Sequence, residues 1–191
     1  SMWCNSKNGK IPMENFLMHD LIPEIDSNFR TIAKRTSRLI EGFSMGGYGA
    51  ARLGLKYPEI FGAISVLGGG PMQKIFDAET GPINLAPDRI RILNTVYGND
   101  QSYFLAQSPW LLAENYAKTN QDKIIMRIAV GKLDAMLEPN KDFSDYLKRL
   151  KIPHDFISPS SIRHEPLSLL NSLKESNWSF YQLALQTQTH P

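Results

Sequence analysis

The stretch GFSMGGYGA, residues 42–50, sets Ser44 among four glycines directly behind the apolar-ended run SRLIEGF. No other feature limits the fold as strongly. A G-x-S-x-G sequence between an apolar strand and a helix is the signature of a nucleophile elbow, in which the serine occupies a sharp, strained turn. Its neighbours must then be small, and Gly42 and Gly46 fill the two required positions, while Gly47, Gly49 and Ala50 let the following helix pack closely. Such a turn lifts the Ser44 hydroxyl above the carboxyl edge of a sheet. It also aims the first helical N–H groups at the same spot, where a developing oxyanion can be held. A flexible loop is the competing reading of so many glycines, and the elements on either side decide against it.

Those elements alternate. Met18, Leu21, Ile22, Ile25 and Phe29 form a stripe at i, i+3, i+4, i+7 and i+11, predicting a helix that Pro23 should kink or split. SRLIEGF predicts a short buried strand, and GYGAARLGLKYPE a helix that stops at Tyr57, before Pro58. GAISVLGG, KIIMRIAVG and HDFIS predict three further strands, and Phe143, Tyr146, Leu147 and Leu150 mark a helix between the last two. An amphipathic helix is predicted from Pro166 to about Gln186. Nearly continuous apolar strand runs alternating with helices imply an α/β domain, a mostly parallel sheet with helices on both faces. The stretch 70–118 breaks the rhythm. It is rich in turn residues and aromatics, and reads as an insertion that supplies a pocket wall or lid within a single domain spanning 1–191.

A serine at its ordinary pKa needs a base, itself oriented by an acid. In a fold with this elbow the chain order is Ser, then Asp or Glu, then His. Asp134 follows the strand KIIMRIAVG at its carboxyl end, where catalytic carboxylates belong. Glu138 is the second candidate, and Asp142 fits the solvated face of the next helix. Of the four histidines, His19 precedes the serine, His190 is in the tail, and His154 enters the last strand at its amino end. His164 follows that strand through SPSSIR and stands in the expected place. The ordered set is Ser44, Asp134 and His164.

The remaining composition excludes more than it adds. A formal charge of +2 over 191 residues gives no reason to expect nucleic acid or an anionic membrane as partner. The basic run KRTSR reads as a solvated turn before a strand. The lone Cys4 can form no internal disulfide, and no zinc-ligand spacing occurs, so neither metal nor cofactor is expected. No apolar run approaches the length of a membrane span and no signal-peptide pattern is present, which leaves the compartment undecided.

At this point the chain resembles the esterase group of α/β-hydrolases that includes feruloyl esterases, S-formylglutathione hydrolase (esterase D) and the mycolyltransferases. The stretches that carry the resemblance are DLIPEIDSNFRTI, LIEGFSMGGYGAARLGLKYPEIFGAIS, VYGNDQSYFLAQSPWLLAE and VGKLDAMLEPNKDFSDYLKRLKIPHDF. The resemblance implies Ser44 as the acyl-accepting nucleophile, Asp134 as the orienting acid, His164 as the general base and the Met45 N–H as one oxyanion donor. It also implies that residues near Ser108, Pro109 and Trp110 flank the acyl or alcohol pocket; core packing is the other reading of Trp110. Two departures stand out. The family has a glycine before the catalytic histidine and an aromatic two residues after it, where this chain has Arg163 and Pro166. The family's amino-terminal strands, with the loop that carries a second oxyanion N–H, have no counterpart here; GGG at 68–70 reads as a turn.

The expected activity is hydrolysis of short-chain or aromatic acyl esters through an acyl-enzyme on Ser44, with a small-molecule ester as substrate. Two alternatives stay open: an acyltransferase using the same triad, and a catalytically impaired hydrolase serving as a binding or assembly module. With the family's first strands missing, SRLIEGF is expected at a cut edge of the sheet, where unpaired backbone invites a second chain. Pairing into a homo-oligomer through that edge is therefore expected in light scattering. A stable monomer at high concentration would contradict it.

Overall fold

The computed structural model describes residues 1–77, 79, 86–119 and 123–186. Four strands form one parallel sheet in the order β1-β2-β3-β4: β1 (Leu39–Phe43), β2 (Ala63–Leu67), β3 (Ile125–Ala129) and β4 (Asp155–Ile157). Each falls within its predicted run. Among the described residues nothing pairs with the outer side of β1, so SRLIEGF stands at a sheet edge as expected.

Side-chain alternation sorts the strands onto two faces. Ile64 and Val66 of β2, with Met126 and Ile128 of β3, face a layer made by α3 (Met45–Lys56), α6 (Pro109–Thr119) and α7 (Leu137–Arg149). Full burial of each such side chain contributes about 1.5–3 kcal/mol. Leu67 and Ala129 turn the other way, onto Leu169 and Leu173 of α8 (Pro166–Gln186). Helices thus cover both faces. α8 is interrupted at Lys174, whose φ of 46° and ψ of −129° are non-helical. Beyond the break Phe180 and Ala184 cover Ala63. The expected single closing helix is therefore two segments that share one covering role.

The same alternation lines up a polar row beneath α8. Glu41, Ser65 and Arg127 are register partners across β1, β2 and β3. The Arg127 guanidinium is fully buried and donates to Ser65 Oγ (2.8 Å), to Glu41 Oε2 (3.0 Å) and to Asn177 Oδ1 of α8 (2.7 Å). The Phe180 ring lies 4.2 Å from the guanidinium carbon.

The stretch 70–118 holds three helices where its composition suggested turns: α4 (Ala86–Thr95), α5 (Gln101–Gln107) and α6. Asp100 caps α5 by accepting from the N–H groups of Ser102 and Tyr103. α6 packs against α3 and sends Leu112 and Ala113 into the core.

Ahead of the sheet, α1 (Met13–Asn15), a π-helical turn (Phe16–Leu21) and α2 (Ile22–Asn28) run continuously. The expected disturbance by Pro23 takes this form: the Ile22 N–H bonds back to Leu17, just before the residue that has no N–H. Only Met18 of the predicted stripe is buried, against Leu53 and Phe61; Leu21, Ile25 and Phe29 are exposed.

A buried ion pair ties this segment to the elbow helix. Glu14 accepts from Arg52, Lys56 and the Tyr57 hydroxyl, while Arg52 also donates to the Trp3 and Gln107 carbonyls. Burial pulls the Glu14 pKa up, but Arg52, Lys56 and Tyr57 outweigh it and leave the carboxyl below its ordinary value of 4.5. A depressed carboxylate stabilises the fold above its unfolded pKa, and that contribution is lost as pH falls through the lower folded value. Glu14→Ala strands the Arg52 charge and is expected to cost about 3–5 kcal/mol in urea denaturation at pH 7. Its deficit relative to the parent should shrink as pH is taken below about 4.5. A loss under about 1 kcal/mol would show that the pair is not holding the segment.

Candidate active site

The site starts from one backbone conformation. Ser44 has φ 56° and ψ −118°, sparsely populated for any residue but glycine, and sits between the last residue of β1 and the first of α3. Hydrogen bonds hold it there: its N–H donates to the Leu67 carbonyl (2.9 Å), and its carbonyl accepts from Gly70 (2.9 Å) and Tyr48 (3.1 Å).

Three glycines of the stretch are required by close approach. A Cβ on Gly42 would collide with the backbone of Gly46, one on Gly47 would lie 2.8 Å from Gly69 Cα, and one on Gly49 would strike the Trp3 ring. Gly46 differs from the expectation, because a Cβ there would meet nothing within 4 Å. The crowding belongs to Gly42, and the backbone at 46 is what crowds it.

Asp134 is delivered by the turn after β3, its N–H bonded to Gly131 (3.1 Å) and its carbonyl accepting from Leu137 at the start of α7 (3.0 Å). Its carboxylate is buried and accepts from the Met136 N–H at 2.8 Å. The loop after β4 is stitched to the loop after β3 by bonds from Lys132 to Pro159 (2.9 Å) and from Leu133 to Ile162 (2.9 Å). That loop presents His164. Its Nδ1 lies 2.9 and 3.0 Å from the two Asp134 oxygens, and its Nε2 lies 2.9 Å from Ser44 Oγ. The Phe43 ring packs on the imidazole with centroids 4.5 Å apart.

Ser44, Asp134 and His164 are thus brought together. Glu138 stands exposed in the first turn of α7, and Asp142 lies on the outer side of the same helix. His154 is engaged elsewhere, with Nε2 2.7 Å from Ser144 Oγ. His19 is exposed, and His190 falls outside the described residues. Arg163 is exposed and absent from the cavity lining, so it does not crowd His164.

Met45 opens α3, and the first bond into the helix comes from Tyr48 to Ser44. The N–H groups of the first turn therefore have no carbonyl of their own helix to bind. They sit at the positive end of the helix dipole, beside the serine hydroxyl.

The serine opens into a cavity of about 390 Å³ lined by Met2, Met45, Pro71, Phe76, Ile92 and Met136, among others. Trp110 is not part of it. Its indole is turned into the core, packed on Phe143 and Tyr146, and its Nε1 donates to the Met72 carbonyl at 2.8 Å. The residue thus takes the core-packing alternative and supports the loop that forms the cavity wall.

Several lining residues carried no sequence signal. Arg89 lies along the cavity, its Nε donating to the Asp77 carbonyl (2.6 Å) and its guanidinium 4.5 Å from the Phe76 ring. Burial lowers its pKa from the ordinary value, and Asp77 opposes the change. Met2 lines the cavity from the chain's beginning, a placement no local pattern encodes. Gly68, read as part of a plain turn, has φ 49°, and a Cβ there would stand 3.1 Å from Asp134 Oδ2. A glycine run next to a strand's carboxyl end was the available hint.

A parallel sheet, a strained serine at a strand-to-helix turn and an acid and histidine on the following loops define the α/β-hydrolase class. Residues 4–154 match the family described as "Putative esterase", and the chain belongs to that family. An esterase of Mycobacterium tuberculosis is 30% identical over 155 residues, 74% of this chain and 34% of the relative. A stretch of 65 residues, 32% of this chain, is 43% identical to an endo-1,4-beta-xylanase/feruloyl esterase of Xylanibacter ruminicola, of which it covers 9%. The chain spans about a third of the first relative's length. Among solved structures, an S-formylglutathione hydrolase of Agrobacterium tumefaciens superposes with a TM-score of 0.74 at 19% identity, covering 96% of this chain and 63% of that one. An S-formylglutathione hydrolase of Staphylococcus aureus gives 0.69 at 22%, covering 95% and 68%. At such identities these likenesses establish the fold.

Proposed function

We propose that the chain hydrolyses carboxylic esters with short-chain or aromatic acyl groups through an acyl-enzyme on Ser44. The observation that carries this reading is His164, with Nε2 2.9 Å from Ser44 Oγ and Nδ1 on the buried Asp134 carboxylate. Hydrogen-bond reach on both sides of the ring is what a general base between nucleophile and orienting acid requires.

In this mechanism Ser44 Oγ attacks the ester carbonyl as His164 Nε2 takes its proton. Asp134 fixes the tautomer with the proton on Nδ1 and stabilises the imidazolium that forms. The tetrahedral oxyanion is held by the Met45 N–H and the positive end of α3, where negative charge is favoured. His164 then protonates the departing alcohol, leaving Ser44 acylated. A water molecule, deprotonated by the same nitrogen, attacks the acyl carbonyl and frees the acid. The apolar walls of the cavity suit an acyl group. Removing one oxyanion donor from such a site costs on the order of 10²–10³ in turnover.

Intact-mass analysis after exposure to a fluorophosphonate, with Ser44→Ala and His164→Ala alongside, tests the reading. The parent is expected to gain one adduct, Ser44→Ala none, and His164→Ala one only far more slowly. A folded parent that gains no adduct would contradict it.

A further inference from the structure

Ser44, Asp134 and His164 stand around the glycine turn 68–70 that follows β2. Gly70 donates to the Ser44 carbonyl at 2.9 Å, and Gly68 donates to the Ala129 carbonyl at the end of β3 at 2.7 Å. A Cβ on Gly68 would lie 3.1 Å from Asp134 Oδ2 and 3.6 Å from His164 Cε1. The turn thus borders nucleophile, acid and base together, and whatever holds it in place bears on their alignment.

Asn140 of α7 holds it from the far side. Its side chain is fully buried, and its Nδ2 donates to the Gly69 carbonyl and to the Met136 carbonyl, each at 2.7 Å. Both amide protons are used, and only the NH₂ end of the group can meet two carbonyl oxygens, which sets its orientation. Its Oδ1 is left buried with no hydrogen-bond partner among the described residues. A buried acceptor without a partner is costly, and an apolar side chain of similar size would avoid that cost. What Asn140 supplies in return is the pair of donations.

The two carbonyls it clamps belong to the supports of the triad. The Met136 N–H holds Asp134 Oδ1 at 2.8 Å, and Gly70, next to Gly69, holds the Ser44 backbone. One nitrogen therefore ties the segment that carries the acid to the turn that braces the nucleophile. We infer that Asn140 is a positioning residue that sets the gap between Asp134 and Ser44 which His164 has to span. The imidazole is rigid and meets each partner at 2.9 Å, so a wider gap lengthens one of its two hydrogen bonds. This rests on the esterase reading at Ser44.

The test follows fluorophosphonate labelling of Ser44 by intact mass, recording both its rate and its final extent. It uses the parent, Asn140→Leu, Asn140→Ala, Asp134→Asn and the double variant Asp134→Asn/Asn140→Leu. Both Asn140 variants are expected to reach the parent's final extent about 10–100-fold more slowly, since a misplacement of about 1 Å can cost that much. They are read together, so that poor folding of one does not decide the result. In the Asp134→Asn background Asn140→Leu should slow labelling by less than about threefold, because the alignment it supports is already lost. A role in stability alone gives a different pattern. Labelling then stops short as unfolded molecules accumulate, the folded remainder reacts at the parent rate, and the loss recurs in full in the Asp134→Asn background. That pattern, or rates within about threefold of the parent in both single variants, would overturn the inference. A labelled parent whose Asn140 variants keep its rate overturns the role of Asn140 alone, and a folded parent that gains no label overturns the reading at Ser44 with it.

Discussion

Everything at this site depends on one strained residue. Ser44 leaves β1 and enters α3 in a conformation that costs on the order of 1–3 kcal/mol, and it persists only because its surroundings over-determine it. β2 supplies the Leu67 carbonyl that takes its N–H, and Gly70 beyond the same strand donates to its carbonyl. Gly42 gives up its side chain so that the backbone of Gly46 can pass, and Gly47 does the same for Gly69. These contacts belong to two adjacent parallel strands and the loops at their carboxyl ends. The elbow's geometry therefore depends on β1 and β2 being paired in register, and the hydroxyl's position is a property of the sheet.

The partners of Ser44 arrive by the same logic. Asp134 and His164 come from the loops after β3 and β4, and those loops are bonded to each other. Four consecutive strands thus contribute nucleophile, packing glycines, acid and base in spatial order. Away from this edge the fold accepts buried charge where it is paired. Arg52 anchors the amino-terminal segment through Glu14, and Arg127 joins three strands to α8. Neither pair touches the reaction; both hold the layers that position it.

Much of this was legible in sequence because the signals are local. Apolar runs located all four strands, and glycine spacing located Ser44. Position relative to the strand ends selected Asp134 over Glu138 and His164 over His154. What failed to show has a common cause: it depends on partners distant in sequence. The stripe from Met18 to Phe29 has helical spacing, yet only Met18 is buried, with Ile22 partly covered beside it and Leu21, Ile25 and Phe29 exposed. Arg127 hides inside an apolar strand run, because its partners Glu41 and Asn177 lie 86 and 50 residues away. Trp110 had the composition of a pocket aromatic, and only the Met72 carbonyl reveals that it faces inward. Met2 and Gln73 border the cavity without any motif to mark them.

The central claim is that Asp134, His164 and Ser44 act as one unit. Replacing Asp134 by Asn tests it with the least disturbance, since Asn retains an oxygen for the Met136 N–H while reversing the preferred tautomer of His164. The rate at which Ser44 is phosphonylated by a fluorophosphonate, followed by intact mass, should fall about 10³–10⁴-fold in a variant that melts like the parent. A rate within about tenfold of the parent would mean that His164 activates Ser44 without Asp134, and would contradict the account.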